Sequence, residues 1–135
     1  MKKLLLPKGW PMPSGFSQGI AVRGTQIFVA GQIGWTSEGF FESDEFWQQT
    51  RQALKNTVSI LSEAGAKPEH IVRMTWYITD CQEYLSQLKQ VGEVYREIIG
   101  VHFPVMTIVE ISKLLEKRAK LEIETTAVIP EGNHS

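Results

Sequence analysis

Few side chains of this sequence have the type and spacing needed for metal, cofactor or nucleophile chemistry. The three histidines, His70, His102 and His134, do not fall at the spacing of metal ligands, and the patterns CxxC and HExxH are absent. No glycine-rich loop opens a helix, as a nucleotide site would require. Cys81 is the one cysteine, and the acidic residues close to it oppose a thiolate. We therefore expect no metal, no cofactor and an inert Cys81.

Carboxylates on an alternating segment near the C-terminus are the remaining candidates for chemistry. Glu122 and Glu124 alternate there with apolar residues, as in a strand that has one buried face. A carboxylate can orient or deprotonate a water molecule. Glu122 is therefore a candidate acid or base, although a residue on such a strand could equally face solvent or a subunit interface.

Composition limits the classes of partner. The chain has 135 residues and a net charge of −1, so it lacks the basic surplus that nucleic-acid binding uses. The apolar run at Leu4–Leu6 is ended by Pro7, and no run approaches the roughly 20 residues that cross a bilayer. The sequence therefore favours one domain over residues 1–135, cytoplasmic, with neither nucleic acid nor membrane as partner.

The first third of the chain predicts strands. Residues Ile27–Ile33 form a β-rich run, and Gly24–Thr25 would turn the chain from a shorter strand near Gly19–Arg23. These two strands would pair as a hairpin. The residues before Pro7 are expected to form an arm or a further strand.

Two amphipathic helices follow. The first begins after Ser43–Glu45, has apolar residues at helical spacing and ends at Gly65. The second opens on Asp80 and Glu83, which resemble a capping box, and ends at Gly100.

Three more strands complete the pattern, at Ile71–Thr79, Val105–Ser112 and Ala119–Ile129. The order ββαβαββ predicts an α/β (α+β) fold with one mixed sheet and two helices on one face, because each helix has only one apolar stripe to bury. In the strand at Ile71–Thr79 we expect one face to carry Val72, Met74, Trp76 and Ile78. The sheet face away from the helices is expected to carry Met106, Ile108, Glu110, Glu122 and Glu124. A face that is half apolar and half acidic suits a subunit interface.

Five stretches, taken in order, resemble the Rid (reactive intermediate deaminase, or YjgF) family. They are Phe16–Gly19, Phe28–Ile33, Gln49–Asn56, Tyr77–Asp80 and Leu121–Glu124. Together they span nearly the whole chain. The resemblance implies a chorismate-mutase-like fold that assembles as a homotrimer around a central barrel, with ligand clefts between subunits.

In the deaminase branch of that family, an arginine in a "PAR" element clamps the substrate carboxylate and a glutamate on the last strand helps to position water. Here the element is Pro104–Thr107, and Met106 stands in the place of the arginine, whereas Glu122 is retained. Methionine cannot pair with a carboxylate. We therefore expect little 2-aminoacrylate deaminase activity.

Three more positions depart from the deaminase pattern and each loses a polar group. Phe16 replaces a tyrosine, Ala30 a serine and Gly92 an asparagine. The cleft should therefore be more apolar than in the deaminases and suit a neutral or larger molecule. An arginine from another part of the chain could reach the cleft instead. The arginines near predicted strands are Arg23, Arg73 and Arg118, and the alternative for each is a solvated surface charge.

The resemblance thus places a ligand pocket between two adjacent subunits. Gly31 could offer its backbone N–H to a ligand, or could mark a bulge or a close approach of strands. Trp76 is expected in the core. The expected pocket residues are Phe16, Ala30, Gly31, Trp35, Gly92, Met106, Thr107 and Ile108, with Glu122 as the catalytic residue.

The function that this implies is the binding of a small metabolite, with hydrolysis or deamination of an imine, enamine or related C–N bond. The alternative is a non-catalytic trimer that binds a metabolite in a regulatory role. A ribonuclease activity, also associated with the family, is disfavoured by the acidic balance and by the lack of a histidine pair.

Overall fold

A computed structural model of the protein describes residues 2–132. The prediction for His134 therefore lies outside the described residues. In chain order the elements are β1 (Lys2–Leu5), β2 (Gly19–Val22), β3 (Gly24–Ile33), α1 (Phe46–Ser62), a 3-10 turn (Pro68–His70), β4 (Ile71–Ile78), α2 (Cys81–Ser86), α3 (Leu88–Ile98), β5 (Val105–Glu110) and β6 (Leu121–Pro130).

The main sheet has four strands in the order β3-β6-β4-β5. Strand β6 runs antiparallel to β3 and to β4, whereas β4 and β5 are parallel. A parallel pair needs a long crossover, and α2 and α3 provide it. The expected mixed α+β fold, with two main helices packed on one mixed sheet, is confirmed.

The predicted hairpin between the second and third strands is wrong. Strand β2 pairs with β1 in a separate two-stranded sheet, where Leu4 lies opposite Ile20. Strand β3 already begins at Gly24, which pairs with Pro130 of β6. No residues are left for a turn, because the chain passes from one sheet to the other at Arg23.

The two helical segments end where their sequences indicate. Gly65 has a φ of +74° after α1, and Gly100 has a φ of +87° after α3. The Asp80 carboxylate accepts hydrogen bonds from the two backbone N–H groups of Gln82 and Glu83, at 2.9 and 3.2 Å. The second predicted helix is interrupted at Gln87, whose φ of −117° and ψ of 20° are not helical. The Gln87 side-chain oxygen accepts a hydrogen bond from the backbone N–H of Trp47 at 2.9 Å. No helix within residues 2–132 is long and apolar enough to span a membrane.

The core lies between α1 and the helix-facing side of the sheet. Leu54 and Leu61 of α1 pack with Met74, Leu121 and Ile123 of the sheet, and all five are fully buried. On β4, Ile71 is buried where Val72 was expected. A register shift between Ile71 and Arg73 causes the difference, because an extra residue in a strand moves its neighbours to the opposite face.

The expected composition of the other sheet face is also wrong in part. Met74 lies beside Met106, and Trp76 beside Ile108, in the parallel β4–β5 pair. Met106 and Ile108 therefore share the helix side and pack against the core. Alternation cannot decide between the faces of β5, because both carry apolar residues. We call the side turned away from the helices the open face; its residues include Phe28, Arg73, Tyr77, Thr107, Val109, Glu122 and Glu124.

Candidate functional site

A groove of about 330 Å³ opens between α3 and strand β5. Its volume is within the range of pockets that hold small molecules. The walls are mainly apolar and aromatic, and Arg96 is their one charged side chain. The residues that define the groove are Ser14, Gly15, Phe16, Trp76, Tyr84, Leu88, Val91, Gly92, Tyr95, Arg96, Gly100, Phe103, Met106 and Ile108.

Hydrogen bonds to the chain before β5 hold the groove in shape. The Ser17 hydroxyl donates to the carbonyl of Phe103 at 2.6 Å, and the Ser17 N–H donates to that of Pro104 at 3.0 Å. They fix the preceding residue, Phe16, beside β5. From α3, the Tyr95 hydroxyl donates to the carbonyl of His102 at 2.8 Å. Burial of Tyr95 raises the pKa of its phenol well above the usual value, so this donor keeps its proton.

The helix side of the groove is open because Gly92 has no side chain. A Cβ at Gly92 would meet no atom within 4 Å. On the strand side, the indole Nε1–H of Trp76 is buried and has no hydrogen-bond partner within residues 2–132. Trp76 therefore belongs both to the core, as expected, and to the groove wall.

Glu122 lies on the open face, on the opposite side of the sheet from the groove. Its carboxylate rests against Gly31, where any Cβ would collide with it. The register of β3 and β6 shifts between Val29 and Gln32, which leaves Ala30 and Gly31 in a bulge. No hydrogen bond within the described chain engages the Glu122 carboxylate. Gly31 thus lies in a bulge and in close contact with the Glu122 side chain. Because it has no Cβ, it leaves room for the Glu122 carboxylate.

A second polar group lies beside Glu122. The Tyr77 hydroxyl bonds to Glu124 at 3.3 Å, and Tyr77 is the cross-strand neighbour of Glu122. The negative charge of Glu124 is the main reason that the pKa of Tyr77 is raised, with partial desolvation and Glu122 adding to the effect and Arg73 opposing it. Tyr77 is therefore a neutral donor at physiological pH. The open face can offer both a free carboxylate and a phenol.

The expected pocket residues fall into two groups that one chain does not bring together. Phe16, Gly92, Met106 and Ile108 line the groove. The second group is on the open face and consists of Ala30, Gly31, Thr107 and Glu122. Trp35 belongs to neither group, since its ring packs against Phe41 at a centroid distance of 5.9 Å.

The other candidates from the sequence have structural partners. The pKa of Cys81 is raised by burial and by Glu110, which accepts a hydrogen bond from the Cys81 N–H at 2.7 Å. His70 accepts a hydrogen bond at Nδ1 from the backbone of Lys67. Arg118 pairs with Asp44 at 2.9 Å, and Arg23 lies 4.0 Å from Glu131. Arg73 lies on the open face.

Sequence reasoning missed Arg96, Tyr84 and Tyr95 as groove residues and Tyr77 as a neighbour of Glu122. A signal for Arg96 is present, because it follows Gly92 by four residues and residues at that spacing share one helix surface. Tyr77 could not be paired with Glu122 without the register of β4 and β6.

Comparisons with known proteins agree with this architecture. The family model described as "Endoribonuclease L-PSP" matches residues 11–129. A "RutC family protein" of Aquifex aeolicus is 38% identical, over 95% of this chain and 99% of its own. A Rid-family protein of unknown function from Yersinia pestis, YyfB, has a crystal structure that superposes with a TM-score of 0.82 at 25% identity, covering 95% and 98% of the two chains.

A third similar protein is TdcF of Escherichia coli, named as a candidate reactive intermediate deaminase. It is 30% identical, over 95% of this chain and 98% of its own. Its crystal structure with bound serine has a TM-score of 0.67, with 94% and 98% of the chains covered.

Proposed function

Because this chain belongs to the Rid (YjgF) family, we propose that it binds a small metabolite in a cleft that two copies of the chain complete. One copy supplies the groove, and its neighbour supplies the open face with Glu122. The proposed assembly is the homotrimer that the family resemblance implies. The proposed reaction is hydrolysis of an imine, an enamine or a related C–N bond.

The observation that carries this proposal is the division of the expected site between the two faces of one sheet. Met106 and Glu122 cannot meet in one chain, because the sheet itself lies between the groove and the open face. A second copy turned toward the groove removes that obstacle. The open face also carries large apolar side chains that an interface would cover, since Phe28 is 72% exposed and Val109 is 41% exposed.

Glu122 is suited to the proton transfers of imine hydrolysis. As water adds to the C=N carbon, the Glu122 carboxylate takes one of its protons and passes it to the imine nitrogen, which gives a neutral carbinolamine. The proton of the carbinolamine hydroxyl then passes through Glu122 to the nitrogen while the C–N bond breaks, which yields a carbonyl compound and ammonia. The Tyr77 phenol, a neutral donor beside Glu122, is a candidate partner for the hydroxyl of the carbinolamine.

The groove walls support a substrate with a larger apolar part than 2-aminoacrylate. Met106 offers no charge, and Phe16, Gly92 and Ile108 offer no polar side-chain group. A small acid without an apolar body would therefore leave most of this wall without a contact. That TdcF binds serine supports small-molecule recognition in the family, and the more apolar walls here favour a different molecule.

The alternative function is metabolite binding without catalysis, and Met106 is the observation that favours it. Without the arginine that holds the substrate in deaminases, the same cleft could hold a ligand with no reaction. The two functions differ in one result, because only a hydrolase loses turnover when the Glu122 carboxylate is replaced.

Mixed assemblies test the proposal. The purified chain is first assayed for ammonia release from a panel of imines, formed in place from amino acids by an amino-acid oxidase. The variant Glu122→Gln disables the open-face half, and Gly92→Leu fills the groove. Each variant alone should be inactive. Co-refolded at equal amounts, they should recover about a quarter of the wild-type rate, because a random quarter of the interfaces pairs an intact groove with an intact Glu122.

Matched controls define the outcome. Glu122→Gln mixed with Glu122→Ala should recover nothing, since both chains lack the same half. Sedimentation equilibrium of each sample should give a trimer. A monomer at micromolar concentration would rule out the shared cleft. So would a mixture of Glu122→Gln and Gly92→Leu that assembles into trimers but recovers no turnover. The absence of turnover with every imine in the panel would leave the non-catalytic function.

A further inference from the structure

Arg96 lies at the edge of the groove, at the end of α3 opposite the wall that Met106 forms. We propose that Arg96 takes over the anion contact that Met106 cannot make, so that the groove selects a carboxylate attached to an apolar body of about the size of a phenyl ring. This inference rests on the proposed small-molecule function and names its ligand class.

The charge of Arg96 is not balanced within the groove. Every other side chain of the groove wall is uncharged. The adjacent acid, Glu97, is turned to Arg51, which holds it through two guanidinium nitrogens with a shortest distance of 2.6 Å. No carboxylate within residues 2–132 forms an ion pair with Arg96. A guanidinium that has spare donors at the mouth of an apolar groove favours an anion with two oxygens, because a carboxylate matches its planar fork.

Gly92 makes the approach to Arg96 possible. The two residues are one helical turn apart, and a Cβ at Gly92 would project into open space. The Arg96 side chain is exposed, so it can turn over this gap without breaking a hydrogen bond or an ion pair within the described chain. A longer side chain at position 92 would stand between the guanidinium and the groove.

The interior of the groove fits an aromatic or branched body. Tyr84, Tyr95 and Phe103 surround it, and the volume of about 330 Å³ exceeds what a two- or three-carbon acid would fill. Trp76 lines the same wall, and its indole N–H is buried without a hydrogen-bond partner within residues 2–132, so its resonance can report on a ligand in the groove.

The test uses the assembled protein and three probes. Phenylacetate has both the charge and the ring, phenylacetamide has the ring without the charge, and acetate has the charge without the ring. Binding is followed by ¹H–¹⁵N NMR at the indole resonance of Trp76, which is assigned with Trp76→Phe. Phenylacetate should bind and shift this resonance, whereas phenylacetamide and acetate should each bind at least about tenfold more weakly.

Variants identify the anion contact. Arg96→Gln should weaken phenylacetate binding about ten- to a hundredfold, as expected for the loss of a charge-assisted hydrogen bond, and should leave phenylacetamide binding unchanged. Arg96→Lys should keep part of the affinity. Arg23→Gln is the control, since it removes an exposed arginine outside the groove. Equal affinity of Arg96→Gln and wild type for phenylacetate, or no binding of phenylacetate to the wild type, would overturn the proposal.

Failure of this proposal can be told from failure of the proposed function. In the Glu122→Gln background, Arg96→Gln should weaken phenylacetate binding by the same factor as in the wild type, because the anion contact is made by the groove. If the mixed-assembly test gives recovery and Arg96→Gln has no effect, only the ligand class is wrong. If Arg96→Gln weakens binding and no imine is turned over, the anion site stands without the catalysis.

Discussion

The groove and the open face are built from the same strands and differ in the kind of side chain that each strand presents. Strands β4 and β5 give Trp76, Met106 and Ile108 to the groove, and Tyr77 and Thr107 to the open face. The tyrosines show the contrast most clearly. Burial raises the pKa of Tyr84 and of Tyr95. The pKa of Tyr77 is also raised, but mainly by the negative charge of Glu124.

The groove and the open face therefore depend on different parts of the structure. The groove is completed by packing within one chain, so its shape should follow the stability of the fold. The open face holds charges and exposed apolar side chains, so its chemistry should depend on what covers it. Substitutions that act on one half and spare the other will show whether this separation is real.

The largest effect should come from removing the carboxylate of the open face. Glu122→Gln keeps the shape of the side chain and removes the proton acceptor. If the chain is a hydrolase, turnover should fall by about two to four orders of magnitude, the usual yield of general acid–base catalysis, while ligand affinity and assembly stay nearly intact. The measurement is kcat and KM for ammonia release from an imine.

The control for this change is Glu124→Gln, two residues further along the same face. It should keep turnover within about tenfold, because Glu124 is engaged by Tyr77 and does not rest on Gly31. An unaffected rate in Glu122→Gln would remove this residue from the mechanism. A changed affinity without any turnover to lose would favour the regulatory function.

The next effect tests the polarity of the groove. Wild-type protein should hydrolyse 2-aminoacrylate about ten- to a hundredfold more slowly than a relative that has the arginine, because position 106 offers no charge-assisted contact to the carboxylate and so small a molecule does not fill the groove up to Arg96. Met106→Arg should restore only part of this rate, since Phe16, Ala30 and Gly92 also lack polar groups. Met106→Leu is the control and should restore none. Efficient turnover by the wild type would contradict the prediction.

Much of the fold could be predicted because local patterns decide it. The ends of the helices followed from Gly65, Asp80 and Gly100, whose conformations or caps depend on neighbouring residues. The buried face of β6 followed from its strict alternation of Leu121 and Ile123 with glutamates.

What failed depends on contacts between distant parts of the chain. The partner of β2 is the N-terminal strand, and no local signal at Gly24 reveals it. The face to which Met106 points is set by its register with Met74, since β5 is apolar on both sides. The division of the site between two faces follows from that register. Arg96 was missed because its place at the groove depends on how α3 packs beside β5, which the sequence of the helix does not reveal.

A smaller effect, on the free energy of unfolding, is expected at Gly31, the glycine of the open face. Its φ is not in the left-handed region, so the reason for glycine is space: a Cβ would collide with the Glu122 side chain. Gly31→Ala should lower the free energy of unfolding by about 1–3 kcal/mol, the usual cost of overpacking. Chemical denaturation measures this change.

The same experiment in a second background identifies the cause. In the presence of Glu122→Ala the cost of Gly31→Ala should largely disappear, because the atoms with which the Cβ collides are gone. An equal cost in both backgrounds would mean that Gly31 serves the bulge of β3 and not the carboxylate.

Gly92, the glycine of the groove, should respond with the opposite sign. It lies inside α3, where glycine is unfavourable, and a Cβ there meets nothing. Gly92→Ala should therefore raise the free energy of unfolding by about 0.5–1 kcal/mol. Gly100→Ala is the control and should destabilise, since Gly100 has a φ of +87°. A loss of stability in Gly92→Ala would show that the groove does not have the space that its walls indicate.

The smallest expected effect is the salt dependence of the tyrosine pKa values, which differs between the groove and the open face. Because charge is the main cause for Tyr77, an increase of salt should move its pKa back toward the ordinary value near 10. The pKa values of Tyr84 and Tyr95 should respond less, since burial raises them and salt does not change burial. The pKa of each of the three tyrosines is higher in the folded protein than in the unfolded chain. The contribution of each tyrosine to stability is therefore complete below the pKa of the unfolded chain, and it is lost as the pH rises through the pKa of the folded protein. The ¹³Cζ resonances, assigned with single Tyr→Phe variants, give each titration at low and high salt. Glu124→Gln should lower the pKa of Tyr77 alone, and equal salt shifts for all three tyrosines would contradict the separation of a charged open face from a packed groove.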